Sequence, residues 1–261
     1  MLTNSNMGVN VAILLRSAEA KVMSIRFQSS ISRILIIVIS IVAFSTNSSI
    51  AVAKRPKPPQ TGTPSGNTTP GTTRPEISCP ITPKPLTAIV ANQGNDFTVA
   101  EYPTFLFYVP YSAPEISLME FLLLNETQTE TIYRTKLKSS SRAGIIKVQL
   151  PSATNEALKI NTTYHWRFNL DCKPDKNIAP DLVLQGWIRR IPLNAEIANR
   201  LESDESPEYL VYQQEGIWYD AIALLAESHF SNPNNTQLTQ GWNDVLESLQ
   251  IEWLIGEPLI N

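Results

Sequence analysis

Apolar and polar positions divide the chain into stretches with different periods. An unbroken apolar run from Ile34 to Phe44 follows Arg33 and gives way to small residues ending in Ala51-Val52-Ala53. Residues 54–85 hold few large apolar side chains. From Leu86 to Ile191, short segments recur between turn residues: Leu86–Val90, Thr104–Val109, Ser117–Leu124, Thr131–Leu137, Ile145–Leu150, Thr163–Leu170 and Leu182–Ile191. Val, Ile, Phe, Tyr and Thr dominate them, as half-buried strands require. Tyr164, Trp166, Phe168 and Leu170 alternate cleanly, which turns His165 to the opposite face. The spacing predicts an antiparallel β-sandwich over 86–191.

After Pro192 the period becomes helical. Asn194 is placed to cap a helix reaching about Ser203, with Ile197 and Leu201 on one face. Ser206-Pro207 opens a second helix that stops at Gly216. Ile217, Ala221, Leu224, Leu225 and Ser228 trace another, broken by Asn232-Pro233-Asn234-Asn235. Leu238, Trp242, Val245, Leu246 and Leu249 trace the last. Two local resemblances refine these segments. Leu158, Thr162 and Tyr164, ahead of Trp166-Arg167-Phe168, resemble the tyrosine corner of immunoglobulin-like and fibronectin type III sandwiches. Gly216-Ile-Trp-Tyr-Asp-Ala221, with Pro233 beyond it, resembles the second half of a tetratricopeptide repeat, in which small residues allow close helix approach. A single such hairpin cannot bury its own faces, so it is expected to lean on the sandwich or on a partner.

Composition changes this picture at the N-terminal end. The Ile34–Phe44 run is shorter than the ~20 residues a bilayer crossing needs. With Lys21, Arg26 and Arg33 before it, residues 1–53 read as a secretory signal cleaved after Ala53, and Met23 would be a more ordinary start. An uncleaved anchor is the alternative. Residues 54–85 are rich in Pro, Thr and Gly and read as an extended tether, too poor in apolar surface to offset its ordering entropy. Export makes Cys79 and Cys172, the only cysteines, candidates for one disulfide. Closing so long a loop contributes roughly 4–5 kcal/mol in the chain-entropy account.

Charge is unevenly spread beneath a net −3. Residues 1–53 carry 4 basic and 1 acidic groups, residues 54–191 carry 16 and 11, and residues 192–261 carry 1 and 12. The last stretch is therefore an acidic helical region that the mildly basic tether and sandwich together can attract. An acidic, exported chain does not point to nucleic acid.

Chemistry-bearing motifs are sparse. Neither His165 nor His229 belongs to a readable triad or zinc motif, no glycine-rich phosphate loop follows a strand, and no cofactor is implied. The candidate partner-binding residues are Trp187, Arg189, Arg190 and Trp218, aromatic and guanidinium groups of the kind that anchor interfaces. The plainer reading is that Trp187 packs and the arginines solvate an edge. These features suggest an exported, non-enzymatic protein-interaction module, periplasmic or extracellular, whose partner is an exported or membrane-associated protein. A glycan-binding or glycan-modifying protein acting on the cell envelope is the alternative.

Several longer strings sharpen the assignment: Glu101-Tyr-Pro-Thr-Phe-Leu-Phe-Tyr-Val-Pro110, Ile132-Tyr-Arg134, Tyr164-His-Trp-Arg167, Gly186-Trp-Ile-Arg-Arg190 and Gly216-Ile-Trp-Tyr-Asp-Ala221. In this order they resemble the cyanobacterial domain-of-unknown-function family 928 (DUF928), over about residues 79–261. The resemblance implies a cyanobacterial exported protein with cysteines near positions 79 and 172. It implies no activity, cofactor or catalytic residue.

Overall fold

A computed structural model describes residues 79–92, 96–152, 157–172, 180–203 and 206–260. The expected signal with its cleavage point at Ala53, the alternative start at Met23 and tether residues 54–78 lie outside the described residues.

The described strands form two sheets. The smaller runs in the order β1 (Thr87–Ala88), β3 (Thr104–Val109), β6 (Gly144–Gln149). The larger runs in the order β2 (Phe97–Thr98), β8 (Leu182–Arg190), β7 (Thr163–Asp171), β4 (Leu118–Asn125), β5 (Thr131–Lys136). Each segment expected from the sequence contains a strand. One departure concerns β2, which pairs with β8 in parallel, so the larger sheet is mixed rather than wholly antiparallel. Two residues are too few for any period to register.

The sheets share one core. Phe105 and Phe107 of β3 meet Phe121 of β4 and Trp166 and Phe168 of β7, with ring centroids 4.8 Å apart for Phe105–Phe121 and 4.5 Å for Phe107–Phe168. Gly186 of β8 faces Trp166 so closely that a Cβ there would sit 2.3 Å from the indole. At the start of β7 the Lys159 N–H donates to the Tyr164 hydroxyl at 2.9 Å, the backward tie that the tyrosine-corner pattern calls for. At its other end Cys172 is bonded to Cys79, Cα to Cα 5.0 Å. Residues just after Cys79 are held as well: the Tyr111 hydroxyl donates to the Pro80 carbonyl, and Lys84 pairs with Glu257.

The helices described are α1 (Ala195–Glu202), α2 (Glu208–Gln214), α3 (Trp218–Ser231) and α4 (Thr236–Ser248). The last two cover the far side of the smaller sheet, whereas Ile197 of α1 and Val211 and Tyr212 of α2 cluster with Ile217 and Ala221, with Val99 and Ile191 packed against them. Asn194 and Asn235 cap α1 and α4, each side-chain oxygen accepting a first-turn N–H. Leu106 and Tyr108 of β3, with Ile89 and Ile145, pack against Ile222, Leu225, Trp242, Val245 and Leu246. This explains why β3 reads Thr-Phe-Leu-Phe-Tyr-Val without alternation: both of its faces are buried. Polar ties accompany this apolar contact, among them Lys147–Glu227 at 2.8 Å and the Val99 N–H on Asp220 at 3.2 Å.

Gly216 serves a different purpose from the one its repeat-like setting suggests. It lies in the turn between α2 and α3 with φ 74, where it reverses the chain instead of bringing helices close. Close approach falls to Gly241 of α4, whose added Cβ would lie 3.2 Å from the Tyr209 hydroxyl of α2. Among the described residues no helix is long and apolar enough to cross a membrane.

Candidate binding face

Alternation along β8 separates the candidate residues. Leu182, Leu184 and Ile188 point into the core, so Gln185, Trp187 and Arg189 stand on the outer face of the five-stranded sheet. Arg190 turns the other way. Its guanidinium donates to the Leu158 carbonyl at 2.5 Å and the Val99 carbonyl at 3.3 Å, and it pairs with Glu101 at 2.9 Å. It therefore ties the β2–β8 end of the sheet together. Trp218 begins α3 and packs with the helical cluster, away from this face. The structure brings Trp187 and Arg189 together and separates Arg190 and Trp218 from them.

The neighbouring strand completes the face. β7 and β8 pair antiparallel, placing His165 opposite Trp187, Thr163 opposite Arg189 and Arg167 opposite Gln185. The His165 ring meets the Trp187 ring edge-on, centroids 4.7 Å apart. Burial, then the charge of Arg167, pushes the His165 pKa down to about 4, so the imidazole is neutral at physiological pH and offers one donor and one acceptor. Its Nδ1 nonetheless has no partner.

That deficiency is shared. Among the described residues, the buried side-chain nitrogens and oxygens lacking a hydrogen-bond partner are His165 Nδ1, Arg167 Nε, Asn169 Oδ1 and Arg189 Nε. All of them stand on one face of two adjacent strands. Native proteins leave few buried polar atoms unpaired, because each costs about 1–3 kcal/mol. Here they are concentrated at one place on β7 and β8, and the atoms themselves have almost no exposure to solvent. Nearby acids are already engaged: Glu120, opposite Asn169 on β4, pairs with Arg134 through Oε1 at 3.0 Å and Oε2 at 3.1 Å. Asp171 accepts the Asp181 N–H at 2.8 Å. Arg167 and Arg189 have no ion-pair partner among the described residues.

A buried linkage joins this face to the helices. The Trp166 indole N–H donates to the Tyr219 hydroxyl of α3 at 2.6 Å, and that hydroxyl donates to the Trp187 carbonyl at 3.0 Å. Burial, then the charge of Asp96, raises the Tyr219 pKa well above the usual value, so the phenol keeps the proton it donates. The backbone beneath Trp187 is thus fixed from the helical layer.

The sequence pointed to Trp187 and Arg189 but passed over Arg167 and Asn169. The signal was present: if Tyr164, Trp166 and Phe168 face inward, then His165, Arg167 and Asn169 face outward together. Their juxtaposition with Trp187 required the register between two strands distant in sequence. Among the described residues no group of three or more His, Cys, Asp or Glu side chains is arranged to hold a metal ion.

Residues 69–259 match the family model described as Domain of Unknown Function (DUF928). Among curated proteins none matches the chain.

Proposed function

The chain belongs to the DUF928 family, and from that premise we propose that it is a non-enzymatic, extracytoplasmic interaction module whose recognition surface is the outer face of the five-stranded sheet. The observation that carries this reading is the clustering of unpartnered buried polar atoms on β7 and β8 around Trp187. The Cys79–Cys172 disulfide supports an oxidising compartment, periplasmic or extracellular, as does the signal-like N-terminal sequence. Sequencing the N-terminus of the exported protein tests that part, with Lys54 expected as its first residue.

The same proposal extends to ancestry of shape. Two sheets on one core, the Lys159–Tyr164 tie and the cysteine at the end of β7 favour an immunoglobulin- or fibronectin-like sandwich. The succession of α2, α3 and α4, with α3 and α4 packed on the smaller sheet, favours a repeat-like helical hairpin that leans on it.

Capture from a cell-envelope extract tests the binding face. The purified protein is expected to retain a partner that the double variant Trp187→Ala, Arg189→Glu releases. A variant of Trp218, which lies among the helices, is expected to retain it. Capture that survives the double variant removes the face from this account.

A further inference from the structure

Independently of the binding face, we propose that Glu257–Ile260 is an exchangeable strand through which two copies of this chain pair, each lending the segment to the β6 edge of the other.

β6 is the last strand of the smaller sheet, so one of its sides faces no neighbouring strand of that sheet. Such an edge presents backbone donors and acceptors to any extended segment. Residues 257–260 cover it at one point. The Ile145 N–H donates to the Pro258 carbonyl at 2.7 Å, the Ile260 N–H donates to the Ile145 carbonyl at 2.7 Å, and Leu259 runs parallel to Ile145. Alternation lets the segment serve both layers: Ile260 is buried in the sandwich core, and Leu259 packs against the helical cluster. Glu257 pairs with Lys84. Gly144 makes the room, since an added Cβ would lie 2.7 Å from the Pro258 carbonyl oxygen and 2.9 Å from Ile260 Cγ2. The edge is therefore a groove shaped to this segment.

A single turn connects the strand to its anchor. Trp253 meets Tyr108 edge-on, centroids 5.8 Å apart, and Leu254 is fully buried in the helical cluster. Ile255 (φ −56, ψ 128) and Gly256 (φ 84) then form a type II turn, closed by the Glu257 N–H on the Leu254 carbonyl at 3.0 Å. Gly256 serves the backbone conformation alone, because nothing lies within 4 Å of the place its Cβ would take. Straightening this turn leaves the anchor intact and carries the strand to a neighbouring copy. Exchange recreates the backbone bonds, the ion pair and the burial of Ile260, so the turn and the entropy of association set the balance. Ile255, one of the exposed large hydrophobic residues, sits where the two straightened turns pass each other and can be covered there. A foreign peptide would have to reproduce the Glu-Pro-Leu-Ile order against Lys84, Gly144 and both apolar layers. A second copy does so by identity.

Two defective variants test the exchange by complementation, with mass read by size exclusion and light scattering. Gly144→Val blocks the groove, and Ile260→Asp spoils the strand. Each alone is expected to stay monomeric with a lowered melting temperature. Mixed equally, they hold one sound groove and one sound strand between them, and are expected to form a one-to-one pair that recovers part of that loss. Folded variants that stay monomeric in the mixture overturn the proposal. Gly256→Val, with groove and strand intact, carries the test where either variant fails to fold. Its side chain is strained at positive φ in the turn but not in a straightened connection, so the dimerisation constant is expected to rise about tenfold or more over the unaltered protein. A Gly256→Val protein that remains monomeric overturns the exchange. So does a Gly256→Val dimer that persists when combined with Ile260→Asp, which assigns the contact to unexchanged β6 edges.

Discussion

The two sheets turn one face each to a common core, yet their outer faces have opposite fates. Outside the smaller sheet, Leu106, Tyr108 and Ile145 are sealed beneath α3 and α4, and every large side chain at that boundary has an apolar neighbour. Outside the larger sheet, Trp187 belongs to none of the apolar clusters among the described residues, and the side chains around it leave polar atoms without partners. The first surface is built for stability. The second holds groups that folding alone does not satisfy, the pattern expected where binding sets the residue choice. Tyr219 spans the two, reaching from the helices to the carbonyl of Trp187.

Paired tryptophan substitutions test the contrast most directly. Trp242→Ala opens a cavity under α4 and is expected to cost about 3–5 kcal/mol. Trp187→Ala, on the half-buried outer face, is expected to cost about 1 kcal/mol. Urea unfolding midpoints decide it, and equal costs would erase the distinction between the faces.

Reduction of the disulfide comes next, at about 2–5 kcal/mol. Because Cys172 ends β7, hydrogen exchange should quicken in β7 and β8 before it does in α3 and α4. A melting temperature indifferent to reductant would show that the bridge does not stabilise the protein.

The pH response separates the regions by sign. Asp220 of α3, buried, has its carboxyl raised from 3.8 to about 6, against the lowering effect of bonds from Thr98 and nearby backbone. Between those values the folded state binds the additional proton, so this group's contribution to stability falls as pH rises from about 4 to about 6. His165 on the open face does the reverse. Its pKa drops from 6.5 to about 4, the unfolded state binds the additional proton, and stability falls as pH is lowered through that window. Denaturation at several pH values should show that His165→Gln makes the protein relatively more stable on acidification, and that Asp220→Asn makes it relatively less so. Parallel profiles for the two variants would contradict both assignments.

The smallest effect concerns Arg167→Met, which removes an orphaned donor and keeps the aliphatic stem. Stability should stay level or rise by roughly 0–1 kcal/mol, as at sites where function opposes folding. A loss above that range would show that Arg167 supports the fold.

Much of the architecture was legible along the chain. β3 begins and ends where its run of apolar residues does, and β7 follows its alternation with Tyr164, Trp166, Phe168 and Leu170 inward. Asn194 caps the helix its position announces, while Asn235, read only as part of a helix-breaking segment, also caps the helix that follows. These features are local, set by side-chain period and by hydrogen bonds within a few residues. The isolated pair Cys79 and Cys172 had a single possible partner each.

Tertiary structure decided the rest, because it depends on contacts between distant residues. Arg189 and Arg190 are neighbours in sequence, but the pleat sends one to an open face and the other into hydrogen bonds with Val99, Leu158 and Glu101. The parallel pairing of β2, the turn role of Gly216 and the helical cover on one sheet follow from how the chain closes on itself. The sequence by itself determined which residues alternate, cap and cross-link. Only the register between β7 and β8 gathered His165, Arg167, Asn169, Trp187 and Arg189 on one surface, since strand pairing spans distances that no local period encodes.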